Sequence, residues 1–212
     1  MQILKQTKTN NKNELLLLGG SFSNNPILVV GVVHGDEPQG EDLINRYLAA
    51  NESGMLFIPS LNPDGKQLGT RTNSNCVDIN RNFPTKNWEL TKKDNYFGGE
   101  SPASEIETKF LINVIEEYKP KLILTLHTPY KIVNYDGPAK EVSEKISEII
   151  NYPVEESIGY PTPGSFGTYA GVEKNIPTIT LEMDEEEDIN SLYPKVKKIF
   201  EYLEGINSSL TH

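Results

Sequence analysis

Apolar residues fall in short dense runs, and amphipathic stretches separate them. Residues 14–22 (ELLLLGGSF), 26–33 (PILVVGVV), 55–61 (MLFIPSL), 121–127 (KLILTLH) and 176–183 (IPTITLEM) are strand-length and mostly bounded by Gly, Pro, Asn or Asp. Several are apolar at every position rather than at alternate ones, the pattern of strands covered on both faces. Between them, one-sided stripes predict helices. Residues 38–50 carry Leu43, Ile44, Tyr47 and Leu48, with Pro38 in a first-turn position. Residues 102–118 carry Ile106, Phe110, Leu111, Val114 and Ile115; residues 138–150 carry Val142, Ile146, Ile149 and Ile150. Residues 189–203 carry Ile189, Leu192, Val196, Ile199, Phe200 and Leu203.

Strands alternating with helices predict an α/β fold, a three-layer sandwich around a mixed, largely parallel sheet. The 212 residues are expected to form a single domain, 1–212. Residues 62–101 have no period and are rich in Asn, Gly, Lys and Thr. A connection that long in a compact domain is usually functional. The acidic run 183–188 (MDEEED) reads as the approach to the last helix, where carboxylates suit the helix N-terminus.

Charge narrows the partners. With 30 acidic and 20 basic side chains the formal net charge is −10. Such a chain repels phosphate backbones, so neither nucleic acid nor an anionic membrane is an expected partner. One cysteine, Cys76, excludes an internal disulfide framework and fits a reducing compartment. No apolar run approaches the roughly 20 residues that span a bilayer, and the first residues (MQILKQTKTNNKNE) make no signal-peptide core. A cytoplasmic protein is expected.

The candidate chemistry sits at the ends of the apolar runs. Of three histidines, His212 is the last residue and is expected to take no part. His34 and His127 each follow a strand-like run, at the sheet edge where α/β proteins bind ligands. Glu37 stands three residues after His34, across a strand-to-helix turn. Two histidines and a glutamate with a fourth position open to water form a catalytic zinc pattern. The competing reading makes Glu37 only a carboxylate favoured by a helix N-terminus. A third run ends at Glu182, which suits a base that takes a proton from water and passes it to a leaving amine. The competing reading there is a solvated strand end. In the long loop, Arg71, Asn80 and Arg81 are candidates for holding anions, since guanidinium forks bind carboxylates and stabilise oxyanions.

These segments resemble the zinc carboxypeptidase (metallocarboxypeptidase) family. The resemblance is carried, in order along the chain, by HGDE (34–37), NPDG (62–65), VDINRNFP (77–84), GGESPASEIET (98–108), LHT (126–128) and TITLE (178–182). It lies nearest a short bacterial branch of murein peptide amidases, to which HGDEPQGE and the GTR…NRNFP pair point. The resemblance implies one zinc ion held by His34, Glu37 and His127, with Glu182 as general base and Arg71 polarising the carbonyl. It implies Asn80 and Arg81 as the grip on a substrate carboxylate and Asp78 as the partner orienting the first histidine. The resemblance further implies Tyr160 as the counterpart of the family's mobile tyrosine, with Tyr169 as competitor. The implied reaction is cleavage of the γ-D-glutamyl–meso-diaminopimelate bond of small murein peptides. An N-acyl-amino-acid hydrolase of the succinylglutamate desuccinylase or aspartoacylase type, and a catalytically silent peptide-binding module, stand as alternatives.

Overall fold

A computed structural model describes residues 1–22, 24–156 and 160–208, so His212 lies outside the described residues. In chain order it contains β1 (Gln2–Lys8), β2 (Glu14–Gly19), β3 (Ile27–Val30), α1 (Gln39–Ala50), β4 (Leu56–Ile58) and α2 (Pro63–Leu68). A 3₁₀ turn (Ile79–Arg81), α3 (Ile106–Tyr118), β5 (Leu122–His127), β6 (Ile132–Asp136), α4 (Lys140–Ile150) and β7 (Val154–Glu155) follow. A π-helical turn (Gly167–Glu173), β8 (Thr178–Glu182) and α5 (Ile189–Ser208) complete it. The strands form one mixed sheet in the order β1-β2-β4-β3-β5-β8-β6-β7.

The five expected strands and four expected helices are all present, most with trimmed ends, while α5 runs five residues past the expected 203 to Ser208. The helix expected from residue 102 begins at Ile106, because Glu105 stays extended (φ −82°, ψ 148°). Its carboxylate accepts from Asn73 and Asn75 instead. Three strands were not expected: the half-exposed edge strand β1, the short β6 and the two-residue β7.

Side chains of a strand alternate between faces, and the central strands fill both. Ile27, Val29, Phe57, Leu124, Leu126, Ile179 and Leu181 pack with α1, α4 and α5. Leu28, Val30, Leu56, Ile58 and Ile123 pack on the other face with Phe110, Leu111 and Val114 of α3. The all-apolar runs are thus the strands between two helical layers, and the sandwich has three layers. The central strands β4, β3, β5 and β8 run parallel. Their carboxyl ends therefore meet along one edge, where His127 pairs with Glu182.

Candidate active site

The site begins where β3 stops. The chain continues through Gly31 and Val32, whose carbonyl accepts from Asn62 N at 2.8 Å, and Val32 takes a left-handed φ of 48°. His34 and Glu37 close a turn, Glu37 N donating to His34 O at 3.2 Å, and α1 follows. Gly35 sits on the backbone of α2: a Cβ there would lie 2.0 Å from Gly65 C, so only glycine lets the two segments meet. The α2 helix is itself built by NPDG, with Asn62 accepting from Gly65 N at 2.9 Å and Pro63 in the first position.

Three ligand-capable side chains converge in this corner. Glu37 Oε1 lies 2.8 Å from His34 Nδ1, and Glu37 Oε2 lies 2.9 Å from His127 Nδ1. The two Nδ1 atoms are 3.2 Å apart. All three residues are buried, and their ligand atoms lie within 4.8 Å of one another. If both Nδ1 atoms carry protons towards Glu37, two N–H groups confront each other; if either does not, its lone pair faces the carboxylate. A cation among them resolves the conflict. Two ligands of a tetrahedral zinc, bonded at about 2.05 Å, stand roughly 3.3 Å apart, close to the observed nitrogen separation. The donor set fits a metal ion.

The surroundings set the electrostatics. Asp78 is fully buried and 3.3 Å from His34 Nε2, an ion-pair distance without an aligned hydrogen bond. Its other oxygen accepts from Arg71 Nε at 3.0 Å. Burial opposes charge on His34, but Glu37 and Asp78 outweigh it and lift its pKa to about 9. Burial would likewise raise Glu37, yet the two histidines hold it far below the ordinary carboxylate range. Burial lowers His127.

Glu182 is buried rather than solvated at its strand end. Burial, reinforced by Glu37, pushes its carboxyl up to about 8, and Oε2 has no hydrogen-bond partner among the described residues. It opens on a cleft of about 390 Å³ that also exposes His34, Glu37, Arg71, Asn80 and Arg81. Asn80 Oδ1 accepts from Phe166 N at 2.8 Å, leaving its amide N–H groups to donate into the cleft. Tyr160, 43% exposed, lines the same cleft; Tyr169 is buried against Phe83. The sequence-derived candidates other than Tyr169 and the undescribed His212 thus meet in one place.

Two lining residues were not anticipated. Tyr96 stands over the arginines. Asp136 lies at the end of β6, and burial alone raises its carboxyl to about 6. No hydrogen bond reaches that carboxylate among the described residues, and a Cβ on Gly167 would fall 2.0 Å from it. In register, Asn134 faces Thr180 and Ile132 faces Glu182. Asp136 therefore sits four residues, about 13 Å, along the strand from the Glu182 pair. Nothing in its local sequence, KIVNYDGP, marks it as more than a turn acid.

A family model described as zinc carboxypeptidase matches residues 7–145. Murein peptide amidase A of Vibrio campbellii is 34% identical over 177 residues, which cover 76% of this chain and 70% of that protein. The protein of the same name from Escherichia coli K12 is 33% identical over 170 residues, 73% of this chain and 69% of that protein. The crystal structure of the murein-tripeptide amidase from Escherichia coli O157 superposes with a TM-score of 0.84 at 26% identity, covering 93% of this chain and 89% of that one. Carboxypeptidase A of Helicoverpa armigera shares the fold, with a TM-score of 0.74 at 14% identity over 97% of this chain and 69% of that one.

Proposed function

This chain belongs to the zinc carboxypeptidase family, and we propose that it hydrolyses small murein peptides between γ-D-glutamate and meso-diaminopimelate. The observation that carries this reading is the charge layout of the cleft. Beside the metal-capable trio lie Arg71 and Arg81, and elsewhere along the same wall lies Asp136 without a countercharge. A leaving residue with a carboxylate next to the scissile amide and, at the far end of its side chain, an ammonium beside a second carboxylate offers a partner to the arginines and, through that ammonium, to Asp136. Diaminopimelate is such a residue.

On this reading one zinc ion, held by His34, Glu37 and His127, would acidify water towards neutral pH and polarise the scissile carbonyl. Asp78 fixes His34 from behind, so the imidazole presents Nδ1. Arg81 and the Asn80 amide hold the leaving residue's carboxylate. Arg71, its Nε already tied to Asp78, turns its remaining N–H groups to the oxygen that becomes negative. Glu182 accepts the proton of the attacking water and delivers it to the leaving amine; its buried, partnerless oxygen favours that uptake. Asp136 takes the distal ammonium, and Tyr160 covers the entrance.

The setting on this reading is the cytoplasm: Cys76, exposed and unpaired, fits a reducing compartment. No helix among the described residues is long and apolar enough to cross a membrane.

The test is kcat/KM for L-Ala-γ-D-Glu-meso-diaminopimelate, for the tetrapeptide extended by D-alanine, and for N-succinylglutamate. The tripeptide should be preferred, because D-alanine removes the gripped carboxylate and adds bulk there. Preference for the acylated amino acid would hand the site to an N-acyl-amino-acid hydrolase, and zinc binding with no turnover of any would leave only a binding module.

A further inference from the structure

Tyr96 belongs to the loop between the 3₁₀ turn and α3, and it is 53% exposed. Its ring nevertheless has a defined place. Arg71 Cζ lies 5.1 Å and Arg81 Cζ 5.9 Å from the ring centroid, both within the range of cation–π attraction. The loop backbone beneath it is held by Tyr96 N donating to Asp94 Oδ1 at 2.8 Å.

The two arginines differ in what else holds them. Arg71 has carboxylates at Asp78 and Glu37, 3.0 and 3.8 Å away. Arg81 is 7% exposed and has no carboxylate in ion-pair range among the described residues. It donates to Asn80 O at 2.7 Å and otherwise meets the Tyr96 ring. A buried guanidinium without a counterion is costly, and a second cation nearby adds repulsion. A carboxylate in place of Tyr96 would remove both costs but would also neutralise the pair and compete with an incoming anion. An aromatic face attracts both guanidiniums and leaves their charge unspent.

We propose that Tyr96 is a positioning residue that aligns Arg71 and Arg81 for an anionic substrate. Its kinetic test rests on the hydrolase reading above; its binding test does not need turnover. Tyr96→Phe keeps the aromatic face and Tyr96→Ala removes it. The substrates are the murein tripeptide with the diaminopimelate α-carboxylate free and the same tripeptide as the α-carboxamide.

Tyr96→Ala should raise KM for the free carboxylate about tenfold, equivalent to about 1.4 kcal/mol, the scale of two such contacts. Its kcat should fall by roughly threefold on both substrates through Arg71, while KM for the carboxamide stays within about twofold of wild type. Tyr96→Phe should restore wild-type values. Equal KM losses on both substrates, an unaffected Tyr96→Ala, or a Tyr96→Phe as impaired as Tyr96→Ala would overturn the proposal. Calorimetry of free meso-diaminopimelate on the metal-free proteins should give the same ranking. If wild type hydrolyses neither substrate, the functional reading fails and calorimetry decides: equal affinities in all three proteins, or no binding, would overturn the role of Tyr96.

Discussion

Two buried glutamates, Glu182 and Glu107, are nearly indistinguishable as isolated groups. Burial is the leading cause in each, lifting Glu182 to about 8 and Glu107 to about 7. Each also has one carboxylate oxygen without a hydrogen-bond partner among the described residues. Their surroundings separate them. Glu182 ends β8 opposite His127 and opens on a cleft with two arginines and the metal-capable trio. Glu107 is sealed in the first turn of α3, where Asn73 Nδ2 reaches it at 3.3 Å. The same Asn73 accepts from Asn75 N and Val77 N, so Glu107 braces the loop that leads to Asp78. A perturbed acid therefore marks a working site only where reactants and other polar groups can converge on it.

The sharpest way to break this contrast is to neutralise each acid in turn. Glu182→Gln should cost about 10²–10⁴ in turnover, the usual worth of a general base, while retaining zinc and the wild-type Tm. Glu107→Gln should keep turnover within a few-fold and show its effect in Tm. Comparable activity losses in the two variants would mean that position in the cleft is not what distinguishes them.

A smaller effect separates the two cations beside Glu182. Arg71→Ala should act mainly on kcat, by roughly 10²–10³, because it meets charge that develops during reaction. Arg81→Ala should act mainly on KM and weaken discrimination in favour of a free carboxylate. Steady-state kinetics in which both variants alter KM alone would contradict this division.

What could be read from sequence follows the same divide between local and assembled features. His34 and Glu37 were legible because strand, turn and helix succeed one another within a dozen residues. His127 and Glu182 were legible because each terminates an all-apolar run, and parallel neighbours bring such ends together. Asp136 was not: β6 is a five-residue strand of mixed polarity, and its acid matters only because Gly167 of the π-helical turn packs against it. Tyr96 lies in an aperiodic loop, and its partners are 25 and 15 residues earlier in the chain. The α2 helix was hidden in NPDG, which reads as a turn until Asn62 is seen capping Gly65. The edge strand β1 carries no apolar alternation to announce it.

The smallest expected effect concerns Asp136, an acid in the cleft that lacks both a metal-capable neighbour and a cation. Its folded carboxyl titrates near 6, above its ordinary value, so ionisation costs stability. That cost starts as pH rises past the unfolded value near 4 and is complete above about 6. Asp136→Asn should thus raise stability by about 1 kcal/mol at pH 7.5 and give no gain at pH 4. The same variant should lose preference for diaminopimelate over the analogue that lacks only the distal amino group. Wild type should lose that preference as pH falls through 6. Unchanged side-chain preference in Asp136→Asn would remove Asp136 from substrate recognition.

The central claim is that amide hydrolysis depends on one metal ion held by His34, Glu37 and His127. The most direct measurement is zinc content and tripeptide turnover determined on the same samples of wild type, His34→Ala and His127→Ala. The account predicts one zinc per chain in wild type, with occupancy and turnover lost together in both variants and diaminopimelate released only by the zinc-loaded protein. Full zinc occupancy in either variant, or undiminished turnover after zinc is stripped from wild type, would contradict it.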